Sequence, residues 1–421
     1  MGWLRASTEA KVITRIHKLL WMMYPTALVT EGMARIMVPE FVPSDGGTLE
    51  GARSRAPVFY NPVMKMNRDS AILALCALQK RLSRPLTICE PMCGTGVRGI
   101  RMALEAPGVQ EAVLGDMSYN AIRLAEENIR VNEVSDRVRV RRMEANLLLS
   151  LHARSLARFD YTDIDPYGTP APFIDTGARA TKRDGMVALT ATDMAPLCGV
   201  NVRACLRKYG STSLRSGYSH ESALRILAGA FVRGAAVHEI ASRPAFGFFA
   251  DHYIRLYMRL DKGKRRADES LREMGYLLHC SGCKSFHSVK AGLDERGSVC
   301  NACGSEMKAE GPLWLGNLAN EDFCSDMIEC SEDSFIGSNR RLMKIIGRVR
   351  GEIGMPPGFF VIDELSSALG VASRRIEPVI DGLKKTGFRA TRSHADNRGL
   401  KTDAPVEEVK RIILGANTEG V

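Results

Sequence analysis

Short apolar runs and helical stretches alternate along the middle of this 421-residue chain, and this alternation constrains the fold more than any other feature. The runs typical of buried strands are LTICEP (86–91), EAVLGD (111–116), VRVRRME (138–144), FDYTDID (159–165) and GMVALTAT (185–192). Helical stretches lie between them at 97–105, 118–132 and about 170–182, and Ser118 is well placed to cap the second. Such alternation predicts an α/β fold with a Rossmann-like, doubly wound parallel sheet, whose ligands bind beyond the carboxyl ends of the strands.

A glycine-rich turn follows the first of these strands, in EPMCGTGVRGIR (90–101). Gly94, Gly96 and Gly99 have the G-x-G-x-x-G spacing that lets a ligand approach the backbone at the N-terminus of a helix. Asp116 ends the next strand, where a carboxylate can accept hydrogen bonds from ribose hydroxyls. This pattern fits NAD-dependent dehydrogenases and S-adenosylmethionine enzymes alike, and a glycine-rich turn without a ligand is the alternative to both.

Acids at two other strand ends favour S-adenosylmethionine over NAD. Glu90 stands four residues before Gly94, where it can lie near a methionyl ammonium but would repel a pyrophosphate. Glu144 ends the third strand, where an acid can accept from the adenine amino group. We find no residue set suited to hydride transfer, so we expect S-adenosylmethionine as the cofactor.

The fourth strand ends in Asp165-Pro166-Tyr167-Gly168. A simple β-turn would explain the Pro and the Gly, since both favour turns. Methylation of a nucleobase amino group explains the whole segment. The amino lone pair is delocalised into the ring, and a carboxylate that accepts its N–H can take the proton, which is worth roughly 10²–10⁴ in rate. Pro166 adds rigidity and Tyr167 can stack on the base, so we predict Asp165 as the catalytic residue.

Several blocks together resemble one family, the tRNA (guanine-26 N2)-dimethyltransferases, which are class I S-adenosylmethionine-dependent enzymes. The blocks are TEGMARIMVP (30–39), PVFYNPVMKMNRDS (57–70), DPYGTP (165–170), TATDMAPLCG (190–199), RACLRKYG (203–210) and TRSHADNRGLKTDAP (391–405). The resemblance implies that one or two methyl groups pass from S-adenosylmethionine to the exocyclic N2 of a guanine in tRNA, at position 26. It leaves open which number applies and whether a neighbouring guanine is also modified.

The resemblance also implies roles for single residues. The positions that match S-adenosylmethionine contacts are Arg68, Arg98, Asp116, Glu144 and Ala145. Family members often carry Asp where Glu144 stands, which implies a longer or rearranged contact here. Asp165 matches the catalytic acid, and Phe59 and Tyr167 are candidates for stacking on guanine. The simpler alternatives are that Arg68 pairs with an acid and that Phe59 belongs to the core.

Four of the eleven cysteines form two C-x-x-C pairs, Cys280 with Cys283 and Cys300 with Cys303. Four thiolates at this spacing suit a tetrahedral Zn²⁺, whereas a redox motif would need only one pair. Some family members lack these cysteines, so we expect the zinc to be structural. The other cysteines are scattered through apolar stretches, which indicates a reducing compartment and no disulfide framework.

The chain divides into three predicted parts: an N-terminal extension (1–29), a methyltransferase domain (30–265) and a C-terminal tRNA-binding domain (266–421). The charged segment DKGKRRADES (261–270) has the composition of a linker. We expect the C-terminal domain to be α+β and to carry the zinc site. Its segment FVIDELSSALGVASRRIEPVIDGLKKTGF (360–388) predicts a helix, a turn and a second helix. Two runs with alternating polar residues follow, around Asn397-Arg398-Gly399, and this order predicts a winged-helix-like end.

The net charge of +10 and the pI of about 9.1 are typical of nucleic-acid-binding proteins. The candidates for RNA contact are the basic residues of LRKYG (206–210), KGKRR (262–266) and SRR (373–375), together with Arg389, Arg392, His394, Arg398 and Lys401. The apolar run LLWMMYPTALV (19–29) is too short for a membrane span. We therefore expect a cytoplasmic protein that binds tRNA and no membrane, and we infer no obligate protein partner.

Two alternatives remain open. The first is methylation of a different nucleobase amino group, on another guanine or on an adenine in DNA or RNA. The second is a non-catalytic RNA-binding protein with the same fold.

Overall fold

The computed structural model describes residues 24–40, 56–154, 156–291, 299–332 and 334–415. The first elements are an antiparallel hairpin and a long helix: β1 (Thr26–Glu31), β2 (Ala34–Pro39) and α1 (Lys65–Leu82). Most of the predicted N-terminal extension, residues 1–23, lies outside the described residues. Among the described helices, none combines the length and the apolar character that a membrane crossing requires.

Strands and helices then alternate where the sequence predicted them. In chain order they are β3 (Leu86–Glu90), α2 (Val97–Glu105), β4 (Val109–Asp116), α3 (Tyr119–Val131), β5 (Val138–Arg142), α4 (Ala145–Leu151), β6 (Phe159–Ile164), α5 (Ile174–Ala180) and β7 (Thr181–Ala191). Ser118 Oγ accepts a hydrogen bond from the Ala121 N–H (3.4 Å), so Ser118 caps α3 as expected.

One seven-stranded sheet organises this part of the chain. Three helices follow β7 in the chain: α6 (Met194–Leu197), α7 (Val202–Tyr209) and α8 (Ser219–Ala236). The last two strands of the sheet come after them, β8 (Ile240–Ala250) and β9 (Tyr253–Lys262). The strand order is β5-β4-β3-β6-β7-β9-β8; β3 to β7 run parallel, and β9 is antiparallel to both of its neighbours. This confirms the Rossmann-like fold. The order reverses between β3 and β6, and ligands bind at such a reversal, beyond the carboxyl ends of the strands.

Helix α2 lies very close to the sheet because residue 99 has no side chain. A Cβ on Gly99 would approach Leu114 Cδ2 of β4 to 2.2 Å, well inside van der Waals contact. The third glycine of the G-x-G-x-x-G turn therefore serves helix–sheet packing, which leaves the first two for the ligand side.

The predicted linker at 261–270 was wrong. From residue 264 onward it forms helix α9 (Lys264–Leu271), and the helix buries Ala267 and Ser270 on one side while its charged residues face outward. Composition misled here, because a short amphipathic helix with a narrow apolar face has few apolar residues.

A smaller sheet and two helices follow. They are β10 (Met274–Cys280), β11 (Phe286–Lys290), β12 (Met307–Trp314), α10 (Glu321–Glu332) and α11 (Arg340–Gly351), with strand order β11-β10-β12. Phe323, Met327 and Ile346 of the two helices share one buried cluster with Leu75 and Leu78 of α1. These two helices thus pack against α1 of the predicted methyltransferase domain, although they lie in the predicted C-terminal domain.

The last elements have their own small core. They are β13 (Phe360–Val361), α12 (Ile362–Ala368), α13 (Ile376–Lys385), β14 (Ala390–Arg392), β15 (Gly399–Thr402) and α14 (Val406–Gly415), with strand order β13-β15-β14. The helix–turn–helix and the two strands occur where the sequence predicted them, and Gly370 (φ +67°) lies in the turn. The winged-helix assignment and the domain boundaries stay predictions.

Candidate active site and metal centre

The glycine turn lies at the carboxyl end of β3 and is tied to β4. Gly94 and Gly96 have φ values of +52° and +77°, in the left-handed region that favours glycine. The Gly94 N–H donates to Asp116 Oδ2 (3.0 Å), and a Cβ on Gly94 would lie 3.2 Å from the Phe59 carbonyl oxygen. The turn is therefore a narrow cradle that a side chain would fill, next to the N-terminus of α2.

The two acids predicted to hold the ribose and the adenine occupy adjacent strand ends. Asp116 Oδ1 accepts from the Ser118 N–H (2.8 Å), and Glu144 Oε2 accepts from the Leu147 N–H (2.8 Å) as the cap of α4. Both side chains are partly exposed, and Ala145 is buried as the first residue of α4. Each carboxylate oxygen has a second lone pair, so both acids can still accept from a ligand.

Glu90 is a buried carboxylate beside the glycine turn. Its Oε2 accepts from the Gly99 N–H (3.0 Å), and its Oε1 lies 3.4 Å from Arg98 Nε. Burial raises the pKa of Glu90 to about 8, although Arg98 acts to lower it. A carboxylate that loses this much hydration gains from a cationic ligand. The donor set at this edge, with the glycine turn, Glu90 and the two acids predicted to face ribose and adenine, therefore fits S-adenosylmethionine.

The predicted catalytic residue lies directly beyond β6. Asp165 Oδ2 is paired with the Arg98 guanidinium, and the Asp165 side chain is 20% exposed. Arg98 also donates to Asn67 Oδ1 (2.8 Å) and lies 3.5 Å from Asp163 Oδ1. Arg98 was predicted as a cofactor contact; in this structure it binds the carboxylate of Asp165 through Oδ2.

Two exposed aromatic rings contact each other at the turn that follows Asp165, since Tyr167 lies two residues after it and Phe59 packs against Tyr167. Phe59 and Tyr167 are 40% and 68% exposed, and their ring centroids are 4.7 Å apart at an angle of 61°. Both rings are therefore outside the core, contrary to the simpler alternative for Phe59. Exposed aromatic faces next to a carboxylate suit a planar base with an amino group.

Arg68 is buried and paired with an acid of β1. Its Nε and Nη2 bind Glu31 Oε1 and Oε2 at 2.6 and 2.5 Å, and Nη2 also donates to the Asn61 carbonyl (3.1 Å). Although burial raises the pKa of Glu31, the hydrogen bonds and charge of Arg68 and the charge of Arg101 lower it to about 2. The alternative that Arg68 pairs with an acid thus holds, and its role toward the cofactor stays a prediction.

A buried polar network under Asp165 was not predicted from the sequence. Asp163 of β6 and Arg255 of β9 are fully buried and paired (Nη2 to Oδ2, 2.5 Å), and Tyr161 OH donates to the same oxygen (2.8 Å). The signal available in the sequence was the presence of two acids, Asp160 and Asp163, within the short strand FDYTDI, all of which is buried. This network supports the strand end that carries Asp165.

The four predicted zinc ligands come together. The Sγ atoms of Cys280, Cys283, Cys300 and Cys303 all lie within 4.8 Å of one another, and two of the Sγ–Sγ distances are 3.4 Å. Four thiolates bound to one tetrahedral Zn²⁺ at about 2.3 Å would stand at comparable separations. The donor set therefore fits structural zinc.

The two cysteine pairs have the same local backbone. The Cys280 N–H donates to the Ser285 carbonyl (2.9 Å) and the Lys284 N–H to the Cys280 carbonyl (3.0 Å). The equivalent bonds of the second pair are Cys300 to Ser305 (2.8 Å) and Gly304 to Cys300 (2.8 Å). Lys284 and Gly304 both have positive φ, at 68° and 73°. Two equivalent knuckles present their thiols to one shared centre.

The structure separates the candidate RNA contacts into paired and unpaired residues. Lys401 is buried and donates to Glu221 Oε2 (2.7 Å), and the side chain of His394 is buried against Glu352. Seven further candidates form ion pairs: Lys208–Asp193, Lys264–Glu239, Arg265–Glu269, Arg266–Asp261, Arg389–Asp403, Arg392–Glu377 and Arg398–Asp363. By contrast, the candidate Arg207 of α7 is exposed, as is Arg203 one turn earlier, which was not among the predicted contacts; neither forms an ion pair with any described residue.

Comparison with known proteins assigns the family. The family model described as N2,N2-dimethylguanosine tRNA methyltransferase matches residues 32–414. A tRNA (guanine(26)-N(2))-dimethyltransferase of Methanothermobacter thermautotrophicus is 38% identical over 392 residues, which are 93% of this chain and 99% of that protein. A tRNA (guanine(26)-N(2)/guanine(27)-N(2))-dimethyltransferase of Aquifex aeolicus is 34% identical and covers 91% of this chain and 95% of its own.

One solved structure is similar over the whole length. Trm1 from Pyrococcus horikoshii, solved with S-adenosyl-L-methionine, has a TM-score of 0.81 at 32% identity and covers 92% of this chain and 99% of its own. The family model spans nearly all described residues, and the two relatives cover more than nine-tenths of this chain. The chain therefore belongs to the N2,N2-dimethylguanosine tRNA methyltransferase family.

Proposed function

We propose that this protein transfers methyl groups from S-adenosylmethionine to the exocyclic N2 of guanine 26 in tRNA. The observation that carries this proposal is the carboxylate of Asp165. It is paired with Arg98 directly beyond β6 and lies two residues before Tyr167, whose exposed ring contacts the exposed ring of Phe59. Family membership supplies the substrate class and the methyl donor, and the geometry supplies the residues that would act.

Methyl transfer to guanine requires that the N2 atom be oriented toward the methyl group and that a base accept its proton. S-adenosylmethionine supplies a methyl group on a positively charged sulfur. The guanine N2 lone pair is delocalised, and an N–H hydrogen bond to Asp165 draws the nitrogen toward a pyramidal geometry. As the new N–C bond forms and the C–S bond breaks, Asp165 is placed to receive the N2 proton. Arg98 holds the carboxylate at a fixed angle, which lowers the cost of alignment.

The cofactor would lie across the carboxyl ends of β3, β4 and β5. Asp116 would accept from the ribose, Glu144 and the Ala145 region would face the adenine, and the backbone at Gly94 would pass close to the ligand. Burial keeps Glu90 largely protonated in the free protein, and the methionyl ammonium would favour its ionised form and be balanced by it. For Arg98 and Arg68 we propose an indirect role, since their guanidinium groups hold Asp165 and Glu31 respectively.

The four cysteines would hold structural Zn²⁺ in the C-terminal part of the chain. Zinc bound in this way contributes on the order of 10 kcal/mol to local folding. It would stabilise the knuckles that extend from β10 and precede β12, and it would take no part in methyl transfer. Metal analysis of the purified protein is expected to find about one zinc per chain; an intact fold without zinc would contradict this role.

The tRNA would bind over the same sheet edge. We propose that residues 30–265 carry the catalysis and residues 266–421 help to hold the tRNA, and that the protein works in the cytoplasm. The exposed Arg203 and Arg207 lie on a helix next to the active-site segments and are suited to phosphate contacts. The target guanine must leave its stacked position to reach Asp165, as in other base-modifying enzymes.

Mass spectrometry of tRNA nucleosides tests the proposal. Unmodified tRNA is incubated with the enzyme and S-adenosylmethionine, then digested and mapped. We expect N2-methylguanosine or N2,N2-dimethylguanosine at position 26 and no product from a transcript with adenine at that position. Methylation of another base, or no methylation at all, would refute the proposal. Additional product at position 27 would indicate the wider specificity named for the Aquifex aeolicus relative.

A further inference from the structure

A chain of hydrogen bonds joins the catalytic turn (residues 165–170) to helix α7. Thr169 Oγ1 donates to Tyr209 OH (2.7 Å), and Tyr209 OH donates to Asp193 Oδ1 (2.6 Å). Lys208 Nζ donates to the other carboxylate oxygen of Asp193 (2.9 Å). Tyr209 is 2% exposed, so a buried phenol connects the catalytic turn with Asp193.

The segment around Asp193 also holds the backbone of the turn. The Gly168 N–H donates to Thr192 Oγ1 (3.0 Å), and the Gly168 carbonyl accepts from the N–H groups of Thr192 (2.8 Å) and Asp193 (3.3 Å). Gly168 has φ +80°, a conformation that most residues avoid. The conformation of the turn at this point is thus set by contacts from residues 192 and 193.

Tyr209 itself is a fixed point. Arg233 of α8 donates to the carbonyl oxygens of Tyr209 and Gly210 at the end of α7. The ring is part of the buried cluster on the side of the sheet that faces α8. Burial and the Asp193 carboxylate raise the pKa of Tyr209 well above its usual value, so its hydroxyl stays protonated and can donate and accept at once.

We propose that Tyr209, together with Asp193, is a positioning residue for methyl transfer. It holds Thr169, and through it the whole catalytic turn, in the shape that points Asp165 and Tyr167 at the target guanine. The inference rests on the proposed function of this site. Tyr209 acts through Thr169 and does not contact the base itself. A shift of about 1 Å at a reacting group can cost about 10²-fold in rate, so one anchoring hydroxyl is enough to matter.

The test removes single hydroxyl groups. Tyr209→Phe keeps the buried ring and loses only the bridge, so we expect kcat to fall about 10- to 100-fold. The dissociation constant for S-adenosylmethionine is expected to stay within about twofold. Thr169→Val breaks the same bond from the other end. Both variants lose the Thr169–Tyr209 hydrogen bond, and Tyr209→Phe also loses the bond to Asp193. Because the Thr169–Tyr209 bond can be lost only once, the double variant should be little slower than the slower single variant.

Tyr253→Phe is the matched control. Tyr253 is also buried, and its hydroxyl has no hydrogen-bond partner within the described part of the chain, so the control should keep wild-type kcat. The same tRNA and cofactor concentrations are used for all variants, and thermal unfolding confirms that each is folded.

The outcomes are distinct. A Tyr209→Phe enzyme with kcat within about twofold of the wild type overturns the positioning role. So does a double variant whose two losses multiply, since the residues would then act independently. If Tyr209→Phe does not fold, Thr169→Val alone decides by the same kcat criterion. A wild-type protein that leaves guanine N2 unmethylated would overturn the proposed function and this inference with it.

Discussion

At the scale of single residues, Asp165 accepts a hydrogen bond from Arg98 and is the proposed base. Replacing one carboxylate oxygen by an amide nitrogen separates these two functions. One oxygen is bound by Arg98, and a side-chain amide can accept that bond almost as well as a carboxylate can. Asp165→Asn therefore keeps the geometry and loses the base. We expect kcat to fall by about 10²–10⁴, with cofactor affinity unchanged, in a methyl-transfer assay paired with calorimetric titration of S-adenosylmethionine. Asp175→Asn, at an exposed position on α5, is the control. Full activity in Asp165→Asn would remove Asp165 from the mechanism.

Glu90 gives a second prediction at this scale, on pH. Its pKa is about 8 in the folded protein because of burial, and about 4.5 when unfolded. Between these values the folded state holds a proton that the unfolded state has released, so stability falls as the pH rises. We expect the unfolding midpoint of the wild type to drop more steeply from pH 5 to 8 than that of Glu90→Gln. Glu126→Gln, which changes an exposed acid, should keep the wild-type slope. Equal slopes in all three proteins would show that Glu90 is ionised in the fold.

At the scale of elements, local patterns located most of the sheet and the strand ends that carry the site. The acids at 90, 116, 144 and 165 could be found because parallel strands bring their carboxyl ends to one edge. Partnerships across the fold could not be found. Arg98 meets Asp165 across 67 residues and Thr169 meets Tyr209 across 40, and only tertiary packing decides such pairs. Helix α9 was missed for a different reason, since its narrow apolar face resembles a charged linker.

Helix α7 carries the prediction at this scale. Arg203 and Arg207 are one turn apart and exposed, with no ion pair inside the described chain that competes for them. The Arg203→Gln/Arg207→Gln variant should bind tRNA more weakly and lower the slope of log affinity against log salt by about 2, one for each lost phosphate contact. S-adenosylmethionine affinity should not change. Arg411→Gln, whose charge is paired with Glu408, is the control. A salt slope equal to the wild type would exclude α7 from the phosphate interface.

At the scale of the whole molecule, one buried ion pair joins the catalytic part of the chain to its last small core. Lys401 of β15 donates to both oxygens of Glu221 on α8 (2.9 and 2.7 Å) and to the Gly358 carbonyl (3.0 Å). Arg225 binds the same acid, 2.8 Å away. Although burial raises the pKa of Glu221, Lys401 and Arg225 lower it to about 2. The pair is therefore charged at neutral pH and joins β15 of the C-terminal elements to helix α8.

Lys401→Met breaks this link while keeping most of the side-chain volume. Removing one partner leaves Glu221 with an incomplete set of charges in a dry site, and such losses cost about 3–5 kcal/mol. We expect a lower free energy of unfolding in denaturant and faster hydrogen exchange in β13 to β15. If the C-terminal elements hold the tRNA in register with Asp165, KM for tRNA should rise while cofactor affinity stays the same. Lys384→Met changes an exposed lysine of α13 and should shift stability by less than about 0.5 kcal/mol. A Lys401→Met protein as stable as this control would mean that packing, and not the buried charge pair, holds the two parts together.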